Sequence, residues 1–234
     1  VDDGPRTASD AAALLRAAAA DGTRTVVATP HCSSRFPTHP EDIEAAAERL
    51  RAADDSVELL TGAEVTHGMA LRLPDETLRR LTLGDSRCVL LESPLEPAIG
   101  PDFERCVSDL QKRGYRVLLA HPERAPAFQD HPARLRALVE GGALCSVTAA
   151  ALAGGFGDAA RWYGLELLRD MLVHSVDSDA HHATLRPPGL RIGLAAAAAA
   201  VPAVAGRAHW YANAVPAALL GDLPLPPHDA STSS

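Results

Sequence analysis

Six short apolar runs recur along the chain: TVVAT (25–29), VELLT (57–61), CVLLE (88–92), RVLLA (116–120), ALCSV (143–147) and MLVHSV (171–176). None alternates cleanly between apolar and polar residues, so none reads as a strand with one face in water. Runs rich in Val and Leu throughout suit strands buried on both faces, as in a parallel sheet covered by helices. The segments between them supply those helices. Thr7 and Asp10 have the spacing of a capping box for AAALLRAAAA, and Asp21-Gly22 closes that helix. EDIEAAAERLRAA, DFERCVSDLQKRG and HPARLRALVEGG repeat the theme, and residues 150–170 and 189–200 supply two more helices. Six β-α units in sequence predict an α/β fold, either a barrel or an open doubly wound sheet. No linker divides them, so one domain is expected over residues 1–220, followed by a loose Pro- and Ser-rich tail over 221–234.

Net charge of −8 and a pI of about 5.6 argue against a protein that grips nucleic acid by neutralising phosphates. Cys32, Cys88, Cys106 and Cys145 form no CxxC pair, which points to reduced thiols and a cytoplasmic protein rather than a disulfide framework. The Ala-rich run before Pro202 is too short and too weakly apolar to span a bilayer, which needs ~20 strongly apolar residues. The polar VDDGP start carries no signal-peptide pattern.

Polar residues cluster where strands end. His31 follows the first run, Glu64 the second, Glu92 ends the third, His121 follows the fourth, and Asp179 and His181 follow the last. This distribution favours a barrel, because barrels build their sites at the C-terminal ends of the strands. Each residue has an ordinary explanation. His31 could satisfy a loop carbonyl, His121 could pair in a turn with Arg124 nearby, and Asp3 could be a turn residue before Gly4-Pro5. Carboxylates such as Glu64 and Glu92 beside buried strands are costly unless paired or bound to a cation. The coincidence at one rim favours metal ligation. HCSSR (31–35) is not a cysteine-phosphatase loop, since only Ser33 and Ser34 separate Cys32 from Arg35. His174, inside a run, reads as a satisfied core histidine.

The segments VDDGPRT, TRTVVATPH, TGAEV, LLES, LLAHPER and SDAHH followed by LRPP resemble the polymerase-and-histidinol-phosphatase (PHP) superfamily. They are most similar to the bacterial metal-dependent protein-tyrosine phosphatases of capsule and exopolysaccharide loci. The resemblance implies a distorted (β/α)7 TIM-like barrel with up to three divalent metals, Mn²⁺ foremost, with Fe²⁺ or Zn²⁺ as alternatives. It implies one metal site using Glu64 and Asp179 with a His-x-His pair. A second would use Glu64, Glu92 and His121, and a third Asp3, His31 and His181. Arg124 and Arg186 match arginines that hold the substrate phosphate. The sequence contains no His-x-His. The first strand of the family's barrel is therefore expected to be missing here, to lie upstream in the gene product, and to leave this chain impaired without it.

Four carboxylates contribute −4 and three divalent ions +6, so a filled site would be locally positive within an acidic protein. The expected activity is phosphomonoester hydrolysis, most specifically on the Tyr-rich tail of a bacterial tyrosine kinase of polysaccharide export. A small-molecule phosphatase such as one for histidinol phosphate, an amidohydrolase-like enzyme, and an inert binding module remain alternatives at this point.

Overall fold

A computed structural model of the protein describes residues 2–97 and 100–228. The first two apolar runs each form a strand interrupted near its end. β1 (Thr25–Ala28) gives way to β2 (His31–Cys32), and β3 (Glu58–Thr61) to β4 (Glu64–Val65). The first interruption includes Pro30, which has no N–H to offer a neighbour. At the second, Gly62 N–H still donates across the sheet to the Ala28 carbonyl at 3.0 Å, whereas Ala63 N–H turns to the Leu81 carbonyl at 3.0 Å. A Cβ on Gly62 would lie 3.0 Å from the Thr82 carbonyl oxygen, so this close approach favours glycine.

β5 (Cys88–Glu92), β6 (Arg116–Ala120), β7 (Leu144–Thr148) and β8 (Ser175–Asp177) continue the sheet. The order is β2-β4-β5-β6-β7-β8, every pairing is parallel, and β1 pairs in parallel with β3. β8 begins at Ser175 rather than Met171, because Met171 adopts φ 57° in the turn that closes the preceding helix. Leu172 N–H then bonds back to the Leu167 carbonyl at 3.0 Å, leaving it no part in a ladder.

The distorted barrel expected here, without its first strand, is not seen as a barrel: among the described residues no ladder joins the first strands to β8. What the structure has is an α/β fold with an open parallel sheet. The sheet nevertheless curls, for the rings of His31 on β2 and His181 beyond β8 have centroids 6.1 Å apart.

Helices cover the sheet as the sequence pattern indicates. The first, Ala8–Ala20, carries the expected capping box: Asp10 N–H donates to Thr7 Oγ1 at 3.1 Å and Thr7 N–H to Asp10 Oδ2 at 3.2 Å. The continuous helix expected over 150–170 is two helices, Ala149–Leu152 and Gly157–Arg169, separated by an exposed glycine-rich turn. Helix Leu190–Ala200 packs so tightly on the first of these that a Cβ on Gly193 would fall 2.4 Å from the Ala149 carbonyl oxygen. Val89, Leu91, Val117, Leu119 and Val147 are fully buried in the sheet, and the four cysteines are free and buried.

The segment after Gly221, expected to be loose, is docked as far as it is described. Arg87 N–H donates to Asp222 Oδ1 at 2.8 Å, Arg116 to the Leu223 carbonyl at 2.8 Å, and Trp210 Nε1–H to the Pro226 carbonyl at 3.2 Å. Residues 229–234 of that tail lie outside the described residues. No described helix is long and apolar enough to cross a membrane.

Candidate functional site

The parallel register places the polar strand ends side by side. His31 on β2 lies opposite Glu64 on β4, and Glu64 opposite Leu90 on β5. Glu92, two residues beyond Leu90, points to the same face as Glu64. His121 and Asp179 follow β6 and β8 with φ of 38° and 46°. Such left-handed backbone is uncommon for residues with a Cβ, although His and Asp tolerate it better than most. Both turn their side chains back over the end of the sheet.

All the residues singled out in the sequence meet at this rim. His31 Nδ1 lies 4.0 Å from Glu64 Oε1 and 3.9 Å from Glu92 Oε1, and its Nε2 is 3.6 Å from Asp3 Oδ1. His181 Nε2 approaches the same Asp3 oxygen at 3.4 Å. His121 Nε2 is hydrogen-bonded to Glu64 Oε1 at 2.7 Å. Arg124 donates to Asp179 Oδ2 at 2.6 Å, and Arg186 donates to the same oxygen. Donor atoms of Asp3, His31 and His181 lie within 4.8 Å of one another, as do those of His31, Glu64 and Glu92. Two such groups sharing one imidazole can hold neighbouring divalent cations, mixed N/O ligation being compatible with several first-row metals.

The electrostatics fit that use. Burial raises the carboxyl of Glu92, and the charge of Glu64 beside it raises it further. For Glu64 burial acts in the same direction, but the hydrogen bond and charge of His121, with His31 and Arg124 beyond, hold its carboxyl below the usual range. Burial would lower the His121 imidazole, yet Glu64 raises it. Its Nδ1 is buried and has no hydrogen-bond partner. Glu92, whose carboxyl resists ionisation, and the unsatisfied buried nitrogen of His121 mark a site that lacks a positive partner.

Three residues overlooked in the sequence support this rim. Asp2 Oδ2 accepts from His31 N–H at 2.9 Å and Oδ1 from Gly4 N–H at 3.0 Å, latching the segment that carries Asp3. Glu123 is fully buried, accepts from Thr148 N–H at 3.1 Å, and is pushed up to about 7 by burial. It ties the turn bearing His121 and Arg124 to the end of β7. Asp177 ends β8, accepts a hydrogen bond from Ser146 Oγ, and is likewise raised to about 7 by burial. The doublet Asp2-Asp3 and the alternation Asp177-Ser178-Asp179 were visible signals; Glu123 was masked by Arg124, which offers a ready partner in sequence but none in space.

Comparisons with known proteins agree with this geometry. A chain from the crystal structures of YwqE from Bacillus subtilis and CpsB from Streptococcus pneumoniae, described as unique metal-dependent tyrosine phosphatases, superposes with a TM-score of 0.79. It is 28% identical, and the match covers 96% of this chain and 91% of that one. Tyrosine-protein phosphatase YwqE of Bacillus subtilis is 33% identical over 192 residues, 80% of this chain and 75% of the relative. Tyrosine-protein phosphatase CpsB of Streptococcus pneumoniae is 28% identical over 202 residues, 80% and 81% of the two chains. Residues 1–209 match the family described as capsular polysaccharide synthesis, CpsB/CapC. With a match of that extent, the chain belongs to the CpsB/CapC family.

Proposed function

We propose that this chain is a metal-dependent phosphotyrosine phosphatase. The observation that carries the reading is the adjacency at one rim of two His/carboxylate donor groups sharing His31 and of two arginines converging on Asp179. Asp3, His31 and His181 would hold one divalent ion, Glu64, Glu92 and His121 a second, and Glu64 with Asp179 a third. Mn²⁺ is the foremost choice. Bound there, such ions bring the pKa of a coordinated water toward neutrality and offset charge on phosphate oxygens.

The chain's own groups perform the rest. Arg124 and Arg186 present planar, bidentate donors to the phosphate, orienting the ester for in-line attack. Glu64 keeps His121 in place, and Asp2 keeps Asp3 in place. A tyrosine phenol, pKa ~10, leaves without needing a strong general acid. The approach of His31 to His181 supports reading the open sheet as a distorted PHP barrel. The free cysteines support a cytoplasmic protein, and the relatives' names support a phosphotyrosine protein as substrate. The specific partner we propose is the tail of a bacterial tyrosine kinase of polysaccharide export, in keeping with the family's place in capsular polysaccharide synthesis.

Turnover of a phosphotyrosine peptide, of histidinol phosphate and of an amide substrate, each with Mn²⁺ and with a chelator, tests the proposal. The peptide should be the preferred substrate, and the chelator should abolish its hydrolysis. Preferred turnover of either other substrate, or chelator-resistant hydrolysis, contradicts it.

A further inference from the structure

The chain has four phenylalanines, and two of them, Phe103 and Phe128, are fully buried and pack edge to face 5.8 Å apart. Phe156 is placed differently. It stands half-buried in the glycine-rich turn between helices Ala149–Leu152 and Gly157–Arg169, at the rim that carries the site. Both site arginines lie over its ring: the guanidinium carbon of Arg124 is 4.1 Å from the centroid, that of Arg186 5.2 Å.

The turn is shaped to present that ring. Gly154 and Gly157 have φ of 93° and 86°, values that residues with a Cβ rarely adopt, and a Cβ on Gly155 would approach the Ala150 carbonyl oxygen to 3.1 Å. A longer side chain at any of these positions would displace the ring.

Two guanidiniums held together repel each other. Here one oxygen, Asp179 Oδ2, accepts from both. That carboxylate is also among the groups assigned to a cation, and a shared carboxylate is a weaker anchor for the arginines. An aromatic face attracts a guanidinium through its quadrupole and uses none of the N–H groups. Those N–H groups stay available to an oxyanion. Arg186 Nε is one of them, a buried donor with no hydrogen-bond partner.

We propose that Phe156 is a positioning residue that holds Arg124 and Arg186 side by side so that both bind one phosphate group. This rests on the phosphatase reading only in taking the anion to be phosphate. The role requires a π face. Leucine, with comparable apolar bulk and no quadrupole, fails at this position, whereas tryptophan serves.

The test is calorimetric titration of inorganic phosphate into Mn²⁺-loaded wild-type, Phe156→Leu and Phe156→Trp proteins, with KM and kcat on a phosphotyrosine peptide measured in parallel. Phe156→Leu should weaken phosphate binding roughly tenfold and raise KM to match, with kcat changed by less than about threefold. Phe156→Trp should stay within about twofold of wild type. Equal phosphate affinity in the wild-type and Leu proteins overturns the proposal. So does equal weakening in the Leu and Trp proteins, or a wild-type protein that binds no phosphate. A wild-type protein that shows the Phe156 dependence in phosphate binding yet hydrolyses no phosphotyrosine leaves this proposal standing and removes the phosphatase reading instead.

Discussion

The two ends of the same parallel sheet are both lined with charge, and they differ in how that charge is matched. At the N-terminal ends, Arg87 donates to the Arg113 and Gly114 carbonyls, and its ring neighbour Tyr115 donates to Asp75 Oδ1 at 2.9 Å. Arg113 pairs with the same Asp75 at 3.0 Å, and Asp222 and Leu223 receive Arg87 and Arg116. Each of these cations has an acceptor. At the C-terminal ends, among the described residues, four carboxylates (Asp3, Glu64, Glu92 and Asp179) face only two guanidiniums, and the imidazoles between them cannot offset the excess without taking up protons. Matched charge solubilises and fastens a surface. Unmatched charge on short, buried strand ends is retained at a cost, and marks the end of the sheet at which we propose that a cationic ligand is held.

The largest effect belongs to the unmatched end. Glu64→Gln keeps the shape and one acceptor for His121 but removes the charge common to the second and third proposed cation sites. Phosphotyrosine turnover should fall about a thousandfold, near 4 kcal/mol of barrier, with folding retained by circular dichroism. Next, Arg186→Ala should raise KM for a phosphotyrosine peptide about 10- to 100-fold, the loss of a charge-assisted contact, and leave less of the effect in kcat. Full activity in that variant would favour an amidohydrolase-like reading.

How much of this contrast was visible in the sequence depends on the kind of signal. The Val/Leu runs became β5, β6 and β7 with ends displaced by one residue at most, because burial on both faces leaves a continuous apolar signature. The strand-end residues Glu64, Glu92, His121 and Asp179 followed from the same pattern. Interruptions did not. The kink at Gly62 depends on the Leu81–Leu83 segment packing against it, and the late start of β8 on the Met171 turn, both tertiary facts. Phe156 sat inside an expected helix; the positive φ of Gly154 and Gly157 and the two arginines over its ring make it a rim residue. Closure of the sheet was also beyond the pattern, since strand count alone does not say whether the first and last strands pair.

The matched end supplies the smaller effects. His174, ahead of β8, accepts the Cys145 N–H on Nδ1 at 3.2 Å, and burial lowers its imidazole to about 4. It is neutral in the folded protein at pH values where the unfolded chain is already protonated. Its contribution is therefore complete above about pH 6.5 and is lost as pH falls toward 4. His174→Gln keeps an acceptor without titrating. Between pH 7 and 4, wild type should lose about 3 kcal/mol relative to this variant in urea unfolding. Parallel pH curves would contradict that assignment. Smallest of all, Arg113→Gln breaks a surface pair at the matched end and should leave phosphotyrosine turnover within about twofold of wild type.

Diffraction from Mn²⁺-loaded crystals, recorded where manganese scatters anomalously, locates the cations themselves. Anomalous peaks should lie within bonding distance of His31 and Glu64, at the C-terminal rim beside Arg124 and Arg186. Fully loaded crystals with no peak at that rim, or with peaks only among the paired charges at the opposite end, would contradict it.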